Sequence, residues 1–142
     1  MGSRTPAFLR FALVGVIGFV ADAGALGLAM AAGLGLYAGR LCSYLVAATV
    51  TWWLNRSVTF RSEAPPSVRE WLRFLAANAV GGGVNLGAYT ALVLASDFVR
   101  ATPVLGVAVG SLLGLNVNFV LSRTFVFGHA TSDPARREHG DG

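Results

Sequence analysis

The sequence predicts an all-α membrane protein whose four transmembrane helices form two repeated helical hairpins, with both the N and C termini cytoplasmic. Three observations carry this prediction. The first is composition: 54% of the 142 residues are hydrophobic, 13% are charged and the mean hydropathy is +0.61, whereas a soluble domain carries about a quarter charged residues. The second is an internal repeat, and the third is a one-sided distribution of arginine.

Four apolar runs, at about 9–30, 37–56, 72–95 and 103–125, can each supply the roughly 20 residues of a spanning helix. The connections between them are too short to hold an extramembrane domain. We therefore expect a single domain over 1–142, with a core at about 8–128, repeat halves at about 8–61 and 69–128, and a disordered tail at 129–142.

The repeat needs two offsets. A shift of 67 residues takes Thr51 to Asn118, Trp52 to Phe119, Arg56 to Arg123, Val58 to Phe125 and Phe60 to Phe127. Earlier in each half a shift of 63 takes Phe8 to Trp71, Arg10-Phe11 to Arg73-Phe74, Gly18 to Gly81, Asp22 to Asn85 and Gly24 to Gly87. The difference between the offsets is most simply a few extra residues in the connection within the second half.

Orientation follows from the arginines, which are all eleven of the basic residues. Arg4 and Arg10 precede the first run; Arg56, Arg61, Arg69 and Arg73 separate the second from the third; Arg123, Arg136 and Arg137 follow the fourth. Only Arg40 and Arg100 are left for the opposite side, so the positive-inside rule puts both termini in the cytoplasm, and the expected location is the cytoplasmic membrane as a multi-pass protein. The pI near 10.2 reflects these boundary charges rather than a basic face for nucleic acid, and no nucleic-acid partner is expected. Ala29-Met30-Ala31 has the spacing of a signal cleavage site. The long apolar run before it, the aspartate inside that run and the counterpart run in the second half favour a retained span.

Thr5-Pro6 suits an N-cap with proline at the first helical position. Gly33-Leu34-Gly35 is the expected outer turn, and the second helix then starts near Tyr37. Glu63-Ala64-Pro65-Pro66 reads as the linker, after which Ser67-Val68-Arg69-Glu70 matches a capping box. Trp71 and Phe74 among Arg69 and Arg73 suit an interfacial entry to helix three. Thr102-Pro103 opens the fourth helix, on which Gly106, Gly110 and Gly114 make a smooth stripe for close packing; Gly83 and Gly87 give helix three a smaller one. The stripe's partner can lie within the chain or in a second copy, and a homo-oligomer is expected.

Polar residues are confined to a few positions. Asp22 lies roughly 18 Å beyond Arg10 along the first helix, near mid-bilayer, where a carboxylate is costly. It reads as a polar helix contact or a sugar-hydroxyl contact ahead of a proton-coupling group, because the repeat places the non-titrating Asn85 opposite it. Thr49, Thr51 and Asn55 descend one helix toward Arg56, and Asn116 and Asn118 descend another toward Arg123; Asn78 joins the same half of the bilayer. Hydroxyls in such helices often bond only to the preceding turn, and an interfacial arginine often only snorkels. Two repeat-related arginines backed by amides nonetheless suit a phosphate, because guanidinium offers a rigid fork of donors and amides complete the coordination. In an apolar bundle that phosphate belongs to a lipid.

The opening Arg10-Phe11-x-x-x-Gly15, the ending Leu54-Asn55-Arg56-x-x-Thr59-Phe60 and its echo Asn118-Phe119-x-x-x-Arg123-x-x-Val126-Phe127 resemble the GtrA-like family of small four-helix membrane proteins. The resemblance covers about residues 8–128 and implies handling of a polyprenyl-phosphate-linked sugar, made on the cytoplasmic face and used outside. It implies lipid-phosphate binding by Arg56 and Arg123 with Asn55 and Asn118, while Asp22, Asn85, Asn78, Thr51 and Asn116 are candidates for sugar or helix-contact roles. Ser122 stands where the first half has Asn55, so the half-sites are not chemically equal.

The leading expectation is a flippase or flippase component. Alternatives are a non-transporting anchor that recruits a membrane glycosyltransferase, and a small proton-coupled exporter that uses Asp22. No enzyme is expected: the sequence offers no metal cluster, no nucleophile with a base and no phosphate-cradling loop. His129 and His139 lie in the tail, the single Cys42 excludes an intramolecular disulfide or a cysteine-based metal site, and neither cofactor nor metal is implied.

Overall fold

A computed structural model describes residues 6–128. Arg4, Thr5 and the tail with His129, Arg136, Arg137 and His139 lie outside the described residues. Among the described residues all regular structure is helical: α1 (Ala7–Ala31), α2 (Leu36–Leu54), a π-helix π1 (Asn55–Thr59), α3 (Val68–Ala95), α4 (Asp97–Ala101), α5 (Pro103–Leu121) and a second π-helix π2 (Ser122–Val126). Two stretches, Ala7–Ala31 and Val104–Val126, are long and apolar enough to cross a membrane. Large apolar side chains point outward, with Phe19 74% and Leu28 75% exposed. That is the signature of a helix whose surroundings are lipid rather than water.

Local chemistry sets the element ends. Pro6 sits at the N-cap of α1 rather than at its first helical position, so the helix starts one residue later than the Thr5-Pro6 reading expects. α1 stops in a Schellman arrangement: Gly33 N donates to Met30 O at 3.0 Å, Leu34 N donates to Ala29 O at 3.0 Å, and Gly33 takes φ +84°. A side chain there meets the left-handed penalty, which glycine escapes. α3 starts where the capping box puts it, with Ser67 Oγ accepting from Glu70 N at 3.1 Å. The connection after α3 contains the unexpected α4, whose N-cap Ser96 accepts from Val99 N at 3.4 Å. Arg100 folds back on that turn, donating from Nε to Val93 O at 3.3 Å and pairing with Asp97 at 3.1 Å.

The second and fourth apolar runs do not stay α-helical to their ends. Each finishes in one π turn, closed by Phe60 N to Asn55 O at 2.8 Å in the first and Phe127 N to Ser122 O at 2.9 Å in the second. These i to i+5 bonds are rare outside functional or strained positions. The 67-residue offset carries one π-helix onto the other, residue for residue.

The chain divides into two compact units, the first ending at Glu63 and the second beginning at Ala64. In the first, α1 packs on α2; in the second, α3 packs on α5. Both pairs approach through glycine at corresponding places. A methyl added to Gly18 would collide with Thr51 Cγ2, and one added to Gly81 with the Asn118 amide. Phe11 meets Phe60 edge-on at 6.1 Å, and Phe74 meets Phe127 at 6.3 Å. The glycine stripe of α5 is covered by α3 of the same chain: a Cβ on Gly110 would lie 2.6 Å from Asn85 O, and one on Gly114 2.7 Å from Gly81 O. Gly83 and Gly87, by contrast, face open space.

Backbone cannot move aside as a side chain can. Gly114→Ala should therefore cost about 1–3 kcal/mol of stability through overpacking, read as a lowered unfolding midpoint in detergent. Gly81→Ala should cost a similar amount, and Asn118→Ala in the same chain should recover most of it. Gly33→Ala should cost about 1 kcal/mol through its backbone angle alone.

Candidate functional site

Of the residues expected to bind phosphate, Asn55, Arg56 and Arg123 sit on the two π-helical ends while Asn118 lies one turn earlier on α5, and the two ends differ. In the first unit Asn55 is 2% exposed, Arg56 5% and Thr59 2%. Thr59 Oγ1 donates to Asn55 Oδ1 at 2.8 Å, and Arg10 of α1 reaches across to donate from Nη2 to Thr59 O at 3.0 Å. Positive side chains gather here because the C-terminal carbonyls of a helix carry partial negative charge. The end of the first unit is thus a buried polar knot. Arg56 does not snorkel at a surface, as an interfacial arginine would.

The second unit repeats the backbone but not the knot. Val126 replaces Thr59, and Ser122 replaces Asn55 with an Oγ that is buried and has no hydrogen-bond partner. Arg73, the counterpart of Arg10, lies over the Phe125 ring at 5.4 Å instead of bonding to the helix end. Arg123 is exposed. Its guanidinium is open to a ligand, while that of Arg56 is enclosed.

The amides and hydroxyls on the approach to these ends mostly satisfy their own helices. Thr49 donates to Leu45 O at 2.7 Å and Thr51 to Ala47 O at 2.9 Å. Asn78 Nδ2 donates to Phe74 O at 2.9 Å and Asn116 Nδ2 to Leu112 O at 2.7 Å. Asn118 differs: its Oδ1 is buried against Gly81 and accepts no hydrogen bond.

Asp22 has a partner that periodicity does not reveal. Its Oδ2 accepts from Arg40 Nη1, and Arg40 also donates to Ser43 Oγ at 3.4 Å. The aspartate is 20% exposed, the arginine 56%, and Ser43 is fully buried. The costly carboxylate in α1 is therefore neutralised from α2, within one helical pair. Arg40, read from sequence only as a charge at the outer end, makes the contact that reading misses. Its helix position lies well toward the turn from Asp22, and only the length of the arginine side chain closes the gap. At the matching place in the second unit Asn85 packs on Gly110 with no ion pair, so a charged tie in one half corresponds to close backbone packing in the other.

The arrangement can hold an anion at one open guanidinium and maintains a buried polar knot and an ion pair between α1 and α2. The family described as GtrA/DPMS, transmembrane domain, matches residues 10–127, a range that includes both π-helical ends, Asp22 and Arg40. No curated protein matches the chain as a relative.

An ion pair this exposed on one side contributes modestly. A cycle of Asp22→Asn, Arg40→Gln and the double variant, followed by thermal unfolding in detergent, should give a coupling of about 1 kcal/mol. Each single change should cost more than its share of the double, because it strands the other charge.

Proposed function

This chain belongs to the GtrA/DPMS transmembrane-domain family, and from that premise we propose that it is a flippase, or flippase component, moving a polyprenyl-phosphate-linked sugar across the cytoplasmic membrane for cell-surface polysaccharide synthesis. The observation that carries the reading is the recurrence of an arginine at the second position of each π-helix, Arg56 in π1 and Arg123 in π2. Rare backbone geometry and a phosphate-suited side chain recur together at the same repeat offset. Simple boundary charges need the arginines but not the π turns.

In this proposal α1, α2, α3 and α5 all span the bilayer, both termini are cytoplasmic, and the π-helical ends face the compartment where lipid-linked sugars are made. The arginines engage the phosphate, the isoprenoid chain stays among lipids and the sugar crosses beside the helices. The protein catalyses no bond change. A membrane glycosyltransferase supplies the substrate and is a proposed partner. Because α3 covers the glycine stripe of α5, a homo-oligomer would have to use another surface.

One observation favours a second reading, an anchor that binds the lipid and recruits the glycosyltransferase without transport. Asp22 is tied to Arg40, and Thr49, Thr51, Asn78 and Asn116 bond to their own helices, which leaves few polar groups to lead a sugar across. The same tie gives Asp22 a structural role that needs no proton transport.

Purified protein in liposomes should translocate a labelled polyprenyl-phosphate sugar. Arg123→Ala, at an exposed position, should slow it roughly thirtyfold, the equivalent of losing about 2 kcal/mol of charge-assisted hydrogen bonding. A well-folded wild type that binds the lipid but never moves it would establish the anchor instead.

A further inference from the structure

We propose, resting on the lipid-phosphate reading above, that the two halves have divided the work: the exposed face of α5 that runs down to Arg123 is where the polyprenyl-phosphate lipid docks, and the matching face of α2 is not. A shallow groove of about 260 Å³ lies on α5, lined by Asn116, Val117, Val120 and Leu121. Val120 is 54% exposed. Asn116 and Val120 stand at i and i+4 on one face of α5, and Arg123 follows three residues later as the second residue of π2. The groove therefore leads, within two turns, to an exposed guanidinium at the end of the apolar span Val104–Val126. A cation at the end of an open apolar channel is complementary to an amphiphile with an anionic head and a long apolar chain.

The repeat supplies the contrast. At the 67-residue offset the groove residues become Thr49, Val50, Trp53 and Leu54, and Arg123 becomes Arg56. Trp53 puts an indole where Val120 leaves room, held edge-on to Trp52 at 5.8 Å. The arginine beyond it is 5% exposed. One half keeps both features a lipid needs. The other carries an indole in place of the valine and has its arginine buried.

The test places the full chain in phosphatidylcholine vesicles with a diazirine-tagged polyprenyl phosphate, locates adducts by mass spectrometry and measures translocation in the same vesicles. Adducts are expected on residues 116–123 and should fall at least about tenfold in Val120→Trp, which imports the bulk of the first half, and in Arg123→Gln, which adds none. Trp53→Val should leave them unchanged. Adducts on residues 49–56 instead, or undiminished labelling in both α5 variants, would overturn the proposal, while translocation by the wild type would leave the flippase reading standing. Equal displacement of the probe by phosphatidylglycerol would overturn the choice of a polyprenyl lipid. A wild type that neither takes the label nor translocates would overturn both.

Discussion

Close approach of helix backbones through glycine is the constraint on which the rest of this molecule depends. Inside a bilayer, apolar side chains gain little by leaving lipid for protein, so helices associate through van der Waals contact, which grows as the backbones come closer. Gly18 under Thr51 and Gly81 under Asn118 set that distance in the two units, and Gly110 and Gly114 extend it along α5. Everything downstream inherits the setting. Phe11 meets Phe60, Arg10 meets the end of π1 and Arg40 meets Asp22 across the helical pair that Gly18 and Thr51 bring together.

On this shared frame the halves have diverged in polarity rather than in shape. The first unit spends its polar groups internally, in the Asp22–Arg40–Ser43 tie at one level and the Asn55–Thr59–Arg10 knot at another. In the second unit, glycine, asparagine and valine replace these groups, Ser122 Oγ is buried without a partner, and Arg123 is outside. Where charge is satisfied within the protein, it steadies the fold. An exposed charge remains available to something that is not the protein.

Much of the frame was legible in the sequence because its signals are local. Apolar runs mark the helices, glycine marks the Schellman turn at Gly33, and Ser67 with Glu70 marks the start of α3. The glycines that pair with Thr51 and Asn118 could be found by aligning the chain with itself. What stayed hidden depends on distance across the fold. Arg40 and Asp22 sit at unequal separations from the turn between them, so no periodicity joins them. The burial of Arg56 and the exposure of Arg123 depend on packing across the fold, which equivalent positions in a repeat do not reveal. The π turns were invisible as well, since the sequence through Arg56 and Arg123 continues an α-helical pattern without a glycine or proline to interrupt it.

Those π turns also carry a history. A π turn is an α-helix that has accepted one residue too many, and the surplus rotates everything beyond it by about a quarter of a turn or more. An insertion of that kind is ordinarily lost because it costs stability, yet here it is present twice, at the same offset, in segments that otherwise share few identical residues. That is the pattern expected if the extra residue was in place when an ancestral hairpin was copied. Lineages that descend from the same duplication should retain the extra residue in both halves even where the arginine beside it has been replaced.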